Sequence, residues 1–439
     1  MKVTRKDKRL LNQEFNALQD VLYIIEHRFP KLYKLIDNIS DPRNKSYIKY
    51  DQKVIILERI LANCCHLQSM RDMNVRFNND NVIQNISTIL NMPLDELPHG
   101  DTINNYLKGV DITQLRDIIT YMVKTLIKSK LLYDYRIDDT YYHIIIDGVQ
   151  LNSYSIEHTK GSLCKHHKNS TTTYHNDVLF AMMYFGNIAL PVDFEWIENS
   201  ETGYNKQDCE INAAKRIFNR IKNTYKRLKI CISGDGLYLS EPIIKICETN
   251  KWKYIITYKE GVVKTIDEYY KTAKNHGDVI EINNNDGKYE YYNDIEYRDY
   301  KINVARLEEK EEVENSQRKL FMYATNFKIT KYNYKKMVWS GRNRWKIENK
   351  EFNDLKNHGY HITHAFSYDA NAMKAHFAIT LIAHVIMQLV EHLEKQSKQF
   401  ETIRELGEKI KEALRNILLS AQYIAGLSNR TQIRNEIPY

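Results

Sequence analysis

The chemistry this chain could perform rests on three carboxylates. Asp147 follows the β-branched run Ile144-Ile145-Ile146, and Asp235 follows Cys231-Ile232-Ser233-Gly234. Each precedes a glycine, Gly148 or Gly236, and each is expected at the end of a buried strand. An acid in such a place is costly unless it is paired or binds a metal. The glycine beside it would let a cation and a phosphate approach the backbone closely. The third acid, Glu348, stands four residues after Arg344 in Arg344-Trp345-Lys346-Ile347-Glu348. That spacing puts the guanidinium and the carboxylate on one face of an amphipathic helix running on to Lys356. Acids from two strand ends and a helix suit two Mg²⁺ ions and an in-line phosphodiester displacement. Each acid also has a plainer reading. A strand-end Asp is common in turns, and Arg344–Glu348 would serve as a surface pair on a helix buried through Trp345, Phe352 and Leu355.

The elements that must position these residues follow from periodicity. Residues 1 to about 135 read as helical, with helical spacing from Val54 to Leu61 and again from Val82 to Leu90. Pro93 and Pro98 follow, and Asp101 or Thr102 is expected to cap a helix through Tyr106-Leu107. Helix, tight turn and capped helix is compatible with a DNA-binding helix-turn-helix and equally with a small bundle. From Tyr142 strands and helices alternate: strand 142–146, a hairpin around Gly186-Asn187, a basic helix 209–225, strand 228–233, helix 241–249 and strand 253–258. That alternation predicts a mixed α/β layer fold. Residues 261–332 read as a β-rich block inserted before the Arg344 helix, with Glu308 to Glu314 as a solvated loop. Two helices, from Ala375 to Leu393 and from Glu401 to Ala421, close the chain.

Composition bounds the classes. The 439 residues carry 64 Lys and Arg against 56 Asp and Glu, a formal net charge of +8 that permits nucleic acid as a partner. The polar start Met1-Lys2-Val3-Thr4-Arg5-Lys6 does not read as a signal peptide. Ala375 to Val390, with His376, His384 and Gln388, reads as too short and too polar to span a bilayer. Cys64, Cys65, Cys164, Cys209, Cys231 and Cys247 show no CxxC repeat and read as reduced thiols. The expectation is a cytoplasmic protein with no membrane partner. Cys164-Lys165-His166-His167, with His158 and His175 nearby, offers zinc-type ligands at irregular spacing, and a His-rich loop is preferred. Asp208 and Glu210 rival the three acids, but helix capping is preferred for both. Trp196, Trp252 and Trp339 read as core rather than as base-stacking wedges, with Trp339, just before the Arg344 helix, the one that could instead stack on an unpaired base.

Taken together, these segments resemble a DDE transposase of bacterial insertion sequences. The resemblance rests on Ile144-Ile145-Ile146-Asp147-Gly148, Lys206 to Glu210, Gly234-Asp235-Gly236-Leu237-Tyr238, Arg344 to Asn349, Asn357-His358-Gly359-Tyr360-His361 and Leu97 to Thr102. It implies an RNase H-like mixed sheet with a β-rich insertion, an all-α N-terminal region and C-terminal helices. The implied domains are a helical DNA-binding region 1–135, a catalytic domain in two parts (136–260 and 333–395), the insertion 261–332 and a tail 396–439. It implies Mg²⁺, with Mn²⁺ as substitute, held by a catalytic triad of Asp147, Asp235 and Glu348. Arg344 is the implied phosphate contact at the transposon end, and Lys350, Lys356 and Trp339 are further candidates for touching DNA. Double-stranded DNA, both transposon end and target, would be cut and joined at terminal inverted repeats by a homodimer that is nucleoid-associated when bound. Two places depart from the family pattern. Gly341 stands where a Tyr is usual, and Leu355 stands where a Lys is usual, with Lys356 one step later. A transposase-derived nuclease and a catalytically silent DNA-binding regulator are the alternatives.

Overall fold

The computed structural model describes residues 17–67, 69–199, 206–261, 263–310, 319–393 and 402–427. The polar start 1–6, residues 311–314 of the acidic-basic run and Glu401 lie outside the described residues. The chain divides into a sheet unit, Lys130–Ile156 with Gly161–Phe352, and a helical unit, Met1–Ser129 with Glu157–Lys160 and Asn353–Tyr439.

The strands of the sheet unit are, in chain order, β1 (Tyr142–Tyr154), β2 (Leu163–His166), β3 (Thr172–Phe185), β4 (Ile188–Ile197), β5 (Ile230–Gly234), β6 (Lys253–Thr257), β7 (Ile280–Asn284), β8 (Gly287–Tyr297), β9 (Tyr300–Glu309) and β10 (Leu320–Thr325). They form one sheet in the order β2-β3-β1-β5-β6-β10-β9-β8-β7, with β4 also on β3. The centre is parallel, β1 on β5 and β5 on β6, and the flanks are antiparallel. All five residues of β5 are buried, as are His143 to Ile146 of β1, which explains why both read as unbroken apolar runs. The β-rich block does not form a layer of its own. β10 pairs antiparallel with β6, and β9, β8 and β7 carry the same sheet outward. Gly186-Asn187 makes the expected two-residue turn, with Phe185 paired to Ile188 and Gly186 at φ +56°.

β1 does not stop at Asp147. Its parallel pairing with β5 ends at Ile145↔Ser233, but β3 continues alongside it to Tyr154. Asp147 therefore sits inside a strand, at the point where one neighbour has ended and the other has not. The expected single helix from Arg344 to Lys356 is also corrected. A helix covers Tyr334–Arg342, and Arg344, Lys346 and Ile347 then make tight i→i−3 backbone bonds to Gly341, Asn343 and Arg344. A π-helical turn covers Ile347–Phe352, and a short α-helix covers Asn353–Asn357. Phe352 and Leu355 are buried as expected, but Trp345 is 64% exposed.

In the helical unit, Ala370–Leu393 is the central helix and packs on Ala17–Arg28, Gln52–Cys64, Gly100–Leu107 and Ile112–Lys128. It is longer and more apolar than expected, and by length and composition alone it could cross a membrane. Instead 89% of its apolar window is buried inside the fold, so it serves as core. Asp80–Leu90 and Gly100–Leu107 are joined by the segment 91–99 rather than by a tight turn, because Pro93 and Pro98 hold the connection non-helical. The cap of the second helix is His99, whose ring accepts from the Asp101 N–H, and not Asp101 or Thr102.

Candidate active site

Beyond the last β1–β5 pair, Asp147 and Asp235 stand at the carboxyl side of the two central parallel strands, where open α/β sheets place their ligands. Asp235 is held by its own turn, its Oδ1 accepting from Leu237 N–H at 2.9 Å. Asp147 Oδ1 accepts from Gly148 N–H at 3.0 Å. Arg344 closes the group: its Nη1 donates to Glu348 Oε1 at 2.5 Å and lies 3.3 Å from Asp147 Oδ2. The i,i+4 contact thus survives the change from α-helix to tight turn and π turn. Single π turns recur at functional positions.

A fourth acid completes the cluster. Glu210, the first residue of the helix Glu210–Thr224, accepts from Tyr238 Oη at 2.8 Å. A Cβ on Gly148 would lie 2.6 Å from Glu210 Oε1, so the glycine beside Asp147 makes room for this carboxylate. Asp208 goes elsewhere, to Arg216 at 2.6 Å. The sequence did hold a sign of the difference. Glu210 precedes Ala213 by three and Ile217 by seven, on the helix face that is buried, whereas Asp208 lies before the helix begins.

The electrostatics record crowding. Burial pushes the Asp147 carboxyl up to about 7; Arg344 opposes this, while Glu348, Asp235 and Glu210 add to it. Burial likewise raises Glu210, with Asp235 and Asp177 adding and the Tyr238 hydroxyl opposing. Burial acts to lower Arg344, but Glu348, Asp147 and Asp235 raise it overall.

The donor set is all carboxylate oxygen, which suits a hard divalent cation. Its charge is incompletely neutralised, with one guanidinium among four acids. Among the described residues no three such side chains are already gathered as a metal cage, and Arg344 bridges two of the acids instead. The residues therefore fit a cation by chemistry and charge, with Asp147, Asp235 and Glu348 as the side chains that would hold it.

The other predicted residues are placed as follows. Lys350 Nζ donates to Asn187 O and Lys346 Nζ to Gly186 O, so both lysines hold the tip of the β3–β4 hairpin. Lys356 is on Asn353–Asn357, in the helical unit. Trp339 is 44% exposed, with the Arg342 guanidinium 4.5 Å above its ring, while Trp196 and Trp252 are core. Gly341 cannot be the family's Tyr: a Cβ there would lie 2.4 Å from the Tyr323 ring, which comes from β10 to fill that space. Cys164 Sγ lies 3.8 Å from His166 Nε2, but His167 turns to Thr173 and His175 to Asp177, and among the described residues no third zinc ligand joins them. A polar cleft of about 830 Å³ opens along β7–β9, lined by Asn284, Lys288, Glu308 and Lys335 among others, and none of the four acids lines it.

Residues 202–386 match the family model described as the transposase DDE domain. The matched stretch contains Glu210, Asp235, Trp339, Arg344, Glu348, Lys350 and Lys356 and begins after Asp147. With a mixed α/β sheet of RNase H-like type, that matched stretch supports a DDE transposase. Among curated proteins no match is found.

Proposed function

We propose that this transposase cleaves DNA at the terminal inverted repeats of an insertion sequence and joins the freed end to a target, using Mg²⁺ or Mn²⁺. The observation that carries the reading is the contact of Arg344 with both Asp147 and Glu348, with Asp235 near enough to act on the Asp147 carboxyl, at the open end of the parallel strands. In cleavage a water oxygen attacks phosphorus and the 3′-oxygen leaves. In joining, that 3′-hydroxyl attacks a target phosphate and displaces the target strand's own 3′-oxygen, which leaves as a hydroxyl, and no covalent bond to the enzyme is needed. A divalent cation, when bound, stabilises charge on the attacking and leaving oxygens. Asp147, Asp235 and Glu348 are the side chains that would hold it. Arg344, already shared between two acids, is the guanidinium that meets the DNA phosphate. Lys350 and Lys356 add positive charge along the duplex, and Trp339 offers a face for an unpaired base. The helical N-terminal region is assigned to DNA binding, and two copies bring two ends together. A cytoplasmic, nucleoid-associated protein is the setting this chemistry implies.

The test is a strand-transfer assay on a duplex carrying the repeats that bracket the gene, with Mg²⁺ and a target plasmid. Joined product supports the reading. Cut ends that never join would make the protein a nuclease, and repeat binding with neither cutting nor joining would make it a regulator.

A further inference from the structure

Elsewhere in the sheet unit several acids have basic partners, although buried Asp267 is held by the Tyr258 hydroxyl and the Gly261 N–H. Asp193 and Glu195 share Arg220, Asp208 holds Arg216, and Glu290 is met by Lys274, Lys288 and Arg306. With those partners the Glu290 carboxyl is lowered to about 2 despite its burial. Glu210 differs. Its partner is the neutral Tyr238 hydroxyl, and its charged neighbours are the acids Asp235 and Asp177. Tyr238 is fully buried, and its ring lies so close to Gly234 that a Cβ there would come within 2.6 Å of it. The hydroxyl is therefore fixed, and it fixes one Glu210 oxygen while the other lies against Gly148, next to Asp147. An acid held this firmly among like charges is a standing demand for positive charge from outside the fold.

We propose that Glu210, tethered by Tyr238 against Gly148, is a positioning carboxylate of the site and sets its affinity for a divalent cation. The proposal rests on the metal-dependent reading given above. Glu210 acts through Asp147 and Asp235, whose combined charge with it exceeds what Arg344 neutralises.

Calorimetric titration of the full chain with Mn²⁺ tests this. Glu210→Gln keeps an oxygen to accept from Tyr238 and removes only the charge. It should weaken Mn²⁺ binding by about 10–100-fold, the range for residues that support metal ligands, with thermal stability not reduced. Gly148→Ala should weaken binding in the wild-type background, because its Cβ evicts the Glu210 carboxylate, and should add nothing in Glu210→Gln. Mn²⁺ affinity unchanged in Glu210→Gln but lost in Asp147→Asn overturns the role of Glu210 and leaves the metal reading standing. Affinity unchanged in Asp147→Asn as well overturns both. Fully additive effects of Gly148→Ala and Glu210→Gln also overturn the proposal.

Discussion

Arg344 contacts Asp147 and Glu348 through the same nitrogen, yet Asp147 remains a carboxyl pushed up to about 7 by burial. Its ordinary value is 3.8, so between about pH 4 and 7 the folded protein keeps a proton that the unfolded chain has lost. Stability from this group therefore falls as pH rises through that window. Without metal, Asp147→Asn should melt at or above the wild-type temperature at pH 7, with the difference shrinking toward pH 4. A variant that melts clearly lower at pH 7 contradicts the crowding. At this scale the sequence was readable in part. Asp147, Asp235, Glu348 and Arg344 were singled out by two apolar runs and one i,i+4 pair, and the structure puts Arg344 in contact with Asp147 and Glu348. Glu210 was passed over because a helix-start acid is equally suited to the helix dipole. Trp345 was assigned to the core and is exposed, since helical spacing fails where the helix breaks. The missing Tyr at 341 has its explanation across the sheet, in Tyr323, which no local pattern reveals.

The elements that carry these side chains depend on ion pairs and packing outside the site. The helix Glu210–Thr224 looked like a basic surface, but Arg216 and Arg220 are used internally, on Glu195, Asp208 and Asp193. Arg220→Ala would remove the charged partner of Asp193, whose side chain is 6% exposed and would keep the Phe194 N–H. It should cost about 3 kcal/mol in denaturant unfolding, the low end for breaking a buried pair because the guanidinium is partly solvated. An effect below about 0.5 kcal/mol, typical of a surface substitution, would show the pair to be surface-like. In the helical unit His66 is slotted between Gly359 and Gly407, where a Cβ on either would lie within 2.5 Å of its ring, and Tyr360 meets it edge-on. Burial, with His384, His361, Arg404 and Lys411 adding, holds this imidazole down to about 3 against an ordinary 6.5. The unfolded chain takes the proton first, so the contribution is complete above about pH 6.5 and is lost as pH falls toward 3. His66→Asn, chosen because His66 has φ +53° and Asn tolerates that conformation, should flatten the acid limb of a melting-temperature profile. An unchanged limb would contradict it. Among the elements, β6, expected at 253–258, was legible to within a residue, because a short buried run bounded by polar sequence leaves little choice. The continuation of β1 past Asp147 was not, because it depends on β3, a partner that the run itself does not reveal. The break at 343–346 was hidden because tight turns keep Arg344 and Glu348 in contact.

At the scale of the whole molecule, the strand order explains why the site needs residues so far apart in sequence. β1 and β5 must be neighbours to bring Asp147 to Asp235, and the Arg344–Glu348 segment enters only after the sheet has been extended through β10. The mixed α/β class was legible from alternation, whereas the merging of the β-rich block into the same sheet was not, because edge-to-edge pairing leaves no mark in a single strand. The most direct measurement compares Glu348→Gln with the wild type on the same labelled transposon-end duplex, following end binding and cleavage in parallel. End binding should persist. Cleavage should fall by more than the roughly 10–100-fold seen when only a supporting residue of a metal site is lost. A Glu348→Gln protein that cuts its end at the wild-type rate would contradict the account.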